Sequence, residues 1–334
     1  MRKMIKYPLY FFALSLILIC SSCANSSQKK TKHEKKKEQV NIQVPAFNAD
    51  SAYQFVAKQV EFGPRVPNTP AHENGAKYLV NTLKRFTKTV IVQKFQVRAY
   101  DGTVLNGKNI IASFNPGQKK RVLLTSHWDS RPWADHDPDE ANFHTPIDGA
   151  NDGASGVGIL LEMARLMAQQ APNVGVDIVF FDLEDYGVPS FDGRHDNDSW
   201  ALGSQYWANN PHKPDYSANF GVLLDMVGAD HAVFKMEYYS MYYAPSVVKK
   251  IWKQAAILGY DNTFLFQEGG MVMDDHIPVN EVLKVPMIDI IHYDPSTNSG
   301  FFPYWHTLGD NMSHINKNTL DMVGETLMYV VYYE

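Results

Sequence analysis

The chain has 334 residues, 45% hydrophobic and 13% aromatic, enough to bury a large core in one or two domains. A formal charge of −5 argues against nucleic acid as a partner, because phosphate binding wants a clustered basic surface and most of the clustered lysines sit in one early segment. The two cysteines, Cys20 and Cys23, both fall in that early region, so the globular part has no internal disulfide and must rest on its core.

Met1–Lys6 supplies a positive n-region and Tyr7–Ile19 an apolar stretch too short for an ordinary membrane span. Cys20-Ser-Ser-Cys23 resembles a bacterial lipobox with Cys23 as the acylated residue, so residues 1–22 read as a lipoprotein signal peptide. The protein is then expected to be exported and lipid-anchored to the cell envelope through Cys23, facing the periplasm or the exterior. Residues 23–45 form a tether, since Asn25–Gln39 is lysine-dominated and has no aliphatic or aromatic side chain. From residue 46 to 334 the composition is that of a single catalytic domain without repeats, expected as a monomer.

Within that domain, Ala52–Phe62 and Ala76–Phe86 carry apolar residues at helical spacing, separated by the turn-rich Gly63–Pro70. Val90–Val97 and Thr103–Phe114 alternate around Asp101-Gly102, a hairpin signal. A third strand follows at Arg121–Ser126. Helices and strands then take turns: helix Gly153–Gln169, strand Val176–Asp182, helix Trp200–Asn209, strand Phe220–Met226, helix Ala244–Leu258, strand Val285–Ile291 and a closing helix at Lys317–Tyr332. A hairpin followed by βαβ units predicts an α/β fold, a three-layer αβα sandwich around a central mixed, mostly parallel twisted sheet.

Five stretches place metal- or proton-handling groups beside the buried runs. His127-Trp128-Asp129 follows a strand. A lone histidine there is more often structural, but Asp129 is a carboxylate suited to orient it. Asp152 precedes a helix, where Asp also serves as an N-cap. The glycines around it make neither a phosphate loop, which needs Gly-Lys-Ser/Thr, nor a hydrolase elbow around Ser155. Glu184-Asp185 sets two like charges side by side, which costs free energy unless a cation or a shared proton offsets them. One can bind metal while the other moves protons; a solvated acidic loop is the alternative. Asp225 interrupts an apolar run, where Asp is rare unless paired or ligating. Trp305-His306 lies in a Gly/Pro-rich loop suited to recognition or metal binding. Beyond the five, Met273-Asp-Asp-His276 is a second acidic-histidine cluster or an N-cap, and Asp135–Glu140 reads as a solvated loop before a calcium site. No second histidine follows His72-Glu73 at helical spacing, which excludes a helical zincin. The carboxyl ends of strands in an open α/β sheet line one crevice, and a catalytic zinc takes three protein ligands and leaves a position open.

The set resembles the zinc aminopeptidase-like fold, and more narrowly a bacterial lipoprotein branch of the zinc-dependent glutaminyl-peptide cyclotransferases (glutaminyl cyclases). The resemblance runs from about Phe55 to the C-terminus through Phe55–Pro67, His127-x-Asp-Ser130, Leu223–Ala229, Asp274-Asp-His-Ile-Pro278 and Trp305-His-Thr307. It implies one zinc held by Asp152, Asp185 and His306. Glu184 would be the proton shuttle, Asp225 and Asp274 members of an acidic network, and Trp305 the wall of the substrate pocket. The implied reaction closes the N-terminal glutamine of a peptide or protein to pyroglutamate and releases ammonia. Compared with the animal enzymes, Asp185 stands in place of a second Glu, Asp289 in place of a histidine, and the disulfide is missing. Double-zinc aminopeptidases of the same fold would use the same positions, with His127, Asp152 and Asp225 on the additional ion and Glu184 activating water. A lipid-anchored binding protein without catalysis is a third class, and missing zinc would be its signature.

Overall fold

The computed structural model describes residues 42–334. The expected signal peptide, Cys23 and most of the expected tether lie outside the described residues.

Helix α1 (Ala49–Val60) is capped by Asn48, whose side chain accepts the Ser51 amide at 2.8 Å. Helix α2 (Pro70–Phe86) starts six residues before its apolar periodicity does. Thr69 caps it and Pro70 fits the first turn, where the missing N–H is no loss. Strands β1 (Thr89–Arg98) and β2 (Val104–Phe114) form the expected hairpin, and β3 (Arg121–His127) is buried along its whole length. Then come α3 (Ala154–Gln169), β4 (Gly175–Phe181), α4 (Leu202–Asn209) and β5 (Phe220–Asp225). The segment after β5 holds more structure than its composition suggests: β6 (Phe234–Met236), α5 (Tyr238–Tyr243), α6 (Pro245–Ile257) and β7 (Phe264–Glu268). Helix α7 (His276–Pro278) passes into a π-helical turn at Val279–Leu283, followed by β8 (Met287–Ile291) and α8 (Lys317–Tyr332).

Six strands form the main sheet in the order β1-β2-β4-β3-β5-β8. β1 and β2 pair antiparallel, as do β2 and β4, while β4, β3, β5 and β8 run parallel. The mixed, mostly parallel sheet with helices on both faces is therefore the fold. Alternation along the strands feeds two cores. Ile110, Leu124, Ile178, Val222 and Ile290 pack with α1, α3, α6 and α8 on one face. Ile111, Leu123, Val179, Leu223 and Met287 pack with Trp207 of α4, Tyr216 and Val279 on the other. Each parallel strand ends at the same edge, and the chain turns there into the segments carrying the acidic residues. Among the described residues, no helix is long and apolar enough to cross a membrane.

Candidate active site

β3 ends on His127 and β5 on Asp225, and the loops after β4 and β8 bring Asp185 and His306 to the same edge. Two carboxylate–imidazole clusters result, His127 with Asp152 and Asp225, and Asp152 with Asp185 and His306. His127 Nε2 lies 3.0 Å from Asp152 Oδ1 and 3.2 Å from Asp225 Oδ1. His306 Nε2 lies 3.3 Å from Asp185 Oδ1 and 3.7 Å from Asp152 Oδ2. Ligands at about 2.0–2.1 Å from a tetrahedral zinc stand about 3.3 Å from one another, so both clusters have the spacing of a zinc ligand set, with Asp152 common to the two. Asp185 Oδ2 is buried without a hydrogen-bond partner, as a carboxylate awaiting a cation would be. The residues fit the metal.

Local structure explains why Asp152 faces the site instead of capping α3. The N-cap is Gly153, with φ +86° and no side-chain cap. A Cβ there would stand 2.8 Å from the His127 ring and 2.9 Å from the Asp129 carbonyl, so only glycine lets the loop approach the imidazole. Leu183, Met226 and His306 itself also hold left-handed backbone, at φ 61°, 48° and 54°. Such non-glycine positions persist where surrounding contacts over-determine them.

Those contacts come from buried side chains. Asp129 stands 3.5 Å from His127 Nδ1, and its two oxygens accept the amides of Glu184 and Asp185 at 3.2 Å each. It therefore fixes the acidic turn as well as facing the imidazole. Asp310 accepts the amides of Asn151 and Asp152 at 2.7 and 3.1 Å, and burial, with Asp152 nearby, pushes its carboxyl up to about 8. Arg65, fully buried, donates to the carbonyls of Trp128, Asp148 and Gly149. Arg131 lies 4.6 Å from the Trp200 ring centre, donates to the Asp185 carbonyl at 3.0 Å and forms a two-pronged pair with Asp135 at 2.7 and 2.8 Å. Asp135 in turn stands 3.3 Å from His306 Nδ1. The Asp135–Glu140 stretch is largely solvent-facing as expected, except for Asp135, which is buried behind His306 and held well below its usual range by Arg131 and His306 despite its burial.

A pocket of about 210 Å³ opens on the clusters. Asp152, Glu184, Asp185, Asp225, Asp274, Trp305 and His306 all line it, with Trp200, Phe301 and Met271 on its apolar side. Trp305 stacks on His306 with ring centres 3.6 Å apart and leans on Phe301 at 5.0 Å. Burial raises Glu184 well above the usual carboxylate range, aided by Asp274 and Asp185 and opposed by His127. Asp274 goes up to about 6 through burial and the nearby Asp225, and Asp185 to about 7 through burial against the pull of Arg131. His306 is pushed down to about 4 by burial and Arg131, which leaves the neutral imidazole a metal needs. His127 goes the other way. Burial opposes its charge, but Asp129, Asp152 and Asp225 outweigh that and hold it well above its ordinary value.

Of the residues singled out in the sequence, Asp152, Glu184, Asp185, Asp225, Asp274, Trp305 and His306 line one pocket, and His127 and Asp129 stand behind them. Arg65, Arg131, Asp135 and Asp310 were missed as parts of it. The first and last carried no signal beyond turn-rich surroundings. The Arg131–Asp135 spacing of four was readable as a pair, but its place behind His306 depends on the loop after β8.

The mixed α/β sheet carries the paired carboxylate–imidazole clusters at the edge where its parallel strands end, and residues 109–331 match peptidase family M28. The chain belongs to that family. It is similar to a glutaminyl cyclase from Bacteroides thetaiotaomicron, crystallised with N-acetylhistamine, at 54% identity and a TM-score of 0.86, over 87% of this chain and 100% of that one. A Zn-dependent exopeptidase from Parabacteroides distasonis is as similar, at 52% identity and a TM-score of 0.86 over the same shares. The bovine glutaminyl-peptide cyclotransferase is 27% identical over 258 residues, 67% of this chain and 65% of that protein. The chain spans between about half and two thirds of the length of the first curated relatives it matches.

Proposed function

We propose that the protein is a glutaminyl-peptide cyclotransferase, a zinc-dependent acyltransferase that closes N-terminal glutamine of peptides and proteins to pyroglutamate and releases ammonia. One observation carries the reading: Glu184 and Asp274 line the same pocket as the Asp152–Asp185–His306 cluster, with Trp305 and Phe301 walling it. Cyclisation needs a group that takes a proton and returns it, and no external water. The likeness to glutaminyl cyclases of full matching length supports it.

Asp152, Asp185 and His306 would hold a single zinc, which when bound polarises the side-chain amide carbonyl and favours the developing oxyanion. Trp305 and Phe301 wall the glutaminyl side chain and keep water away from it. Glu184 accepts a proton from the α-amine as the nitrogen–carbon bond forms, then hands it to the leaving nitrogen as the amide carbon–nitrogen bond breaks. Asp225 and Asp274 share the protons of this acidic group, which titrates as a unit. Acylation of Cys23 would keep the catalytic domain, acting as a monomer, at the cell envelope on the lysine-rich tether.

A second reading has an observation of its own: His127, Asp152 and Asp225 converge as closely as the other cluster, the arrangement a double-zinc aminopeptidase would use. Metal content and product distinguish the two. One zinc per chain with ammonia from a glutaminyl peptide is the expected result. Two zincs with free leucine from a leucyl peptide would overturn the cyclase reading.

A further inference from the structure

The catalytic pocket does not end at its own wall. A second cavity, of about 220 Å³, shares Asn197, Trp200, Met273 and Asp274 with it and runs away between α4 and α7. Its floor is apolar, made by Ile277, Pro278 and Val282, the last 46% exposed. Two further carboxylates line it, Asp198 and Glu281, both at the solvent edge, and none of its lining residues is Lys, Arg or His. Tyr243 donates its hydroxyl to Glu281 Oε1 at 2.7 Å, which fixes that carboxylate at the rim.

We propose that this groove receives the residues that follow the N-terminal one in the substrate, and that it selects peptides with Lys or Arg at the second or third position. The inference rests on the pocket being the place where the N-terminal residue reacts, and deepens the function proposed above. A peptide whose first residue occupies the catalytic pocket must lead its chain out, and this cavity adjoins the pocket across four shared residues. A lysyl or arginyl side chain matches the lining along its whole length: its methylene stem lies on Ile277, Pro278 and Val282, and its cationic head reaches Asp198 or Glu281. A glutamyl side chain would meet like charges with no cation to offset them.

The test compares kcat/KM for Gln-Lys-Ala and Gln-Ala-Lys amides with their Glu-containing counterparts, and with glutaminamide, on the zinc-loaded enzyme. A solvent-exposed charge pair supports a preference of about 1.5- to 5-fold each, and this preference should shrink as salt is raised. It should also fall to about one in the double variant Asp198→Asn, Glu281→Gln and persist in Glu61→Gln, which changes the overall charge away from the groove. Equal kcat/KM for Lys and Glu peptides overturns the groove assignment while ammonia release leaves the cyclase reading standing. So does a preference that survives in the double variant, since it would then come from the charge of the whole molecule. If no glutaminyl peptide is cyclised but leucyl peptides are cleaved, the cyclase reading fails, and the same Lys-against-Glu ratio measured on Leu-Lys-Ala and Leu-Glu-Ala still decides the groove.

Discussion

Glu184 and Asp185 are neighbours in the chain with separate tasks, and side-chain exchange should separate them. Glu184→Gln keeps the shape and removes the proton carrier, so it should retain zinc and lose about 10²–10⁴-fold in turnover, the usual contribution of a positioned acid–base group. Metal analysis alongside the rate measurement checks both halves; an undiminished rate removes Glu184 from the chemistry. Asp135 is predicted to matter without touching substrate. It stands behind His306 Nδ1 and in the grip of Arg131, so Asp135→Asn should weaken zinc binding by about 10–100-fold, the usual effect of losing a carboxylate behind a ligand histidine. Competition with a chelator reads this directly, whatever the reaction. Glu184-Asp185 and His127-x-Asp129 were legible in the sequence because charge beside an apolar run is rare without a reason. Asp310 and Asp135 were not, because each acts on a residue more than a hundred positions away, through backbone amides in one case and a ring nitrogen in the other.

Among the elements, the buried strands declared themselves through unbroken apolar runs, and the β1–β2 hairpin through Asp101-Gly102. Helix α2 was read short because its first turn faces polar partners: His72 Nε2 contacts Asp182 at 2.8 Å inside the protein, so no apolar stripe marks it. β6, α5 and β7 were missed because they are short and lean on one another and on the sheet edge. Strand β8 holds a further test. Asp289 sits at its centre, fully buried with neither carboxylate oxygen partnered, and burial with Asp274, Asp225 and Glu237 around it raises its carboxyl well above the usual range. A carboxyl raised on folding contributes its full stability below its unfolded value and loses it as pH climbs through the folded one. Asp289→Asn should therefore stabilise the protein at pH 8 by roughly 1.4 kcal/mol for each unit by which the carboxyl is raised, since the amide has no proton to lose. The gain should fade towards pH 4. Thermal melts of both proteins across that range would show it, and a loss of stability at pH 8 would count against it.

Across the whole molecule, buried histidines away from the pocket add an acid-sensitive share of stability. His212 and His292 lie on different elements and both are pushed down to about 4 by burial. His212 accepts the Trp207 indole N–H at 3.3 Å with its Nδ1, which requires the neutral ring. An unfolded chain would bind protons at both sites below pH 6.5 while the folded one does not, so the stability these two rings contribute should drop as pH falls from about 6.5 to about 4. Asp177, held below its usual range by Arg121 despite burial, adds a loss at still lower pH. Asp289 and the other raised carboxyls pull the opposite way in this range, so the readout is differential: as pH falls from 7 to 4.5 the denaturant midpoint of His212→Gln should rise relative to that of the unchanged protein, and an unchanged difference would count against it. The layered architecture was the most legible level of all, since strand and helix order fixes it. The strand order was not, because the hairpin's β2 docks on β4, leaving β3 inside the sheet.

Gly153, with its left-handed backbone against the His127 ring, is where these scales meet. The candidate ligands it helps to gather, Asp152, Asp185 and His306, come from three different loops at one edge of the sheet. No fragment of the chain can own the metal. An ion that bound only the finished arrangement would work as a final inspection: a polypeptide would stay unloaded until its last loop was seated, and a molecule carrying metal would by that fact have completed its fold.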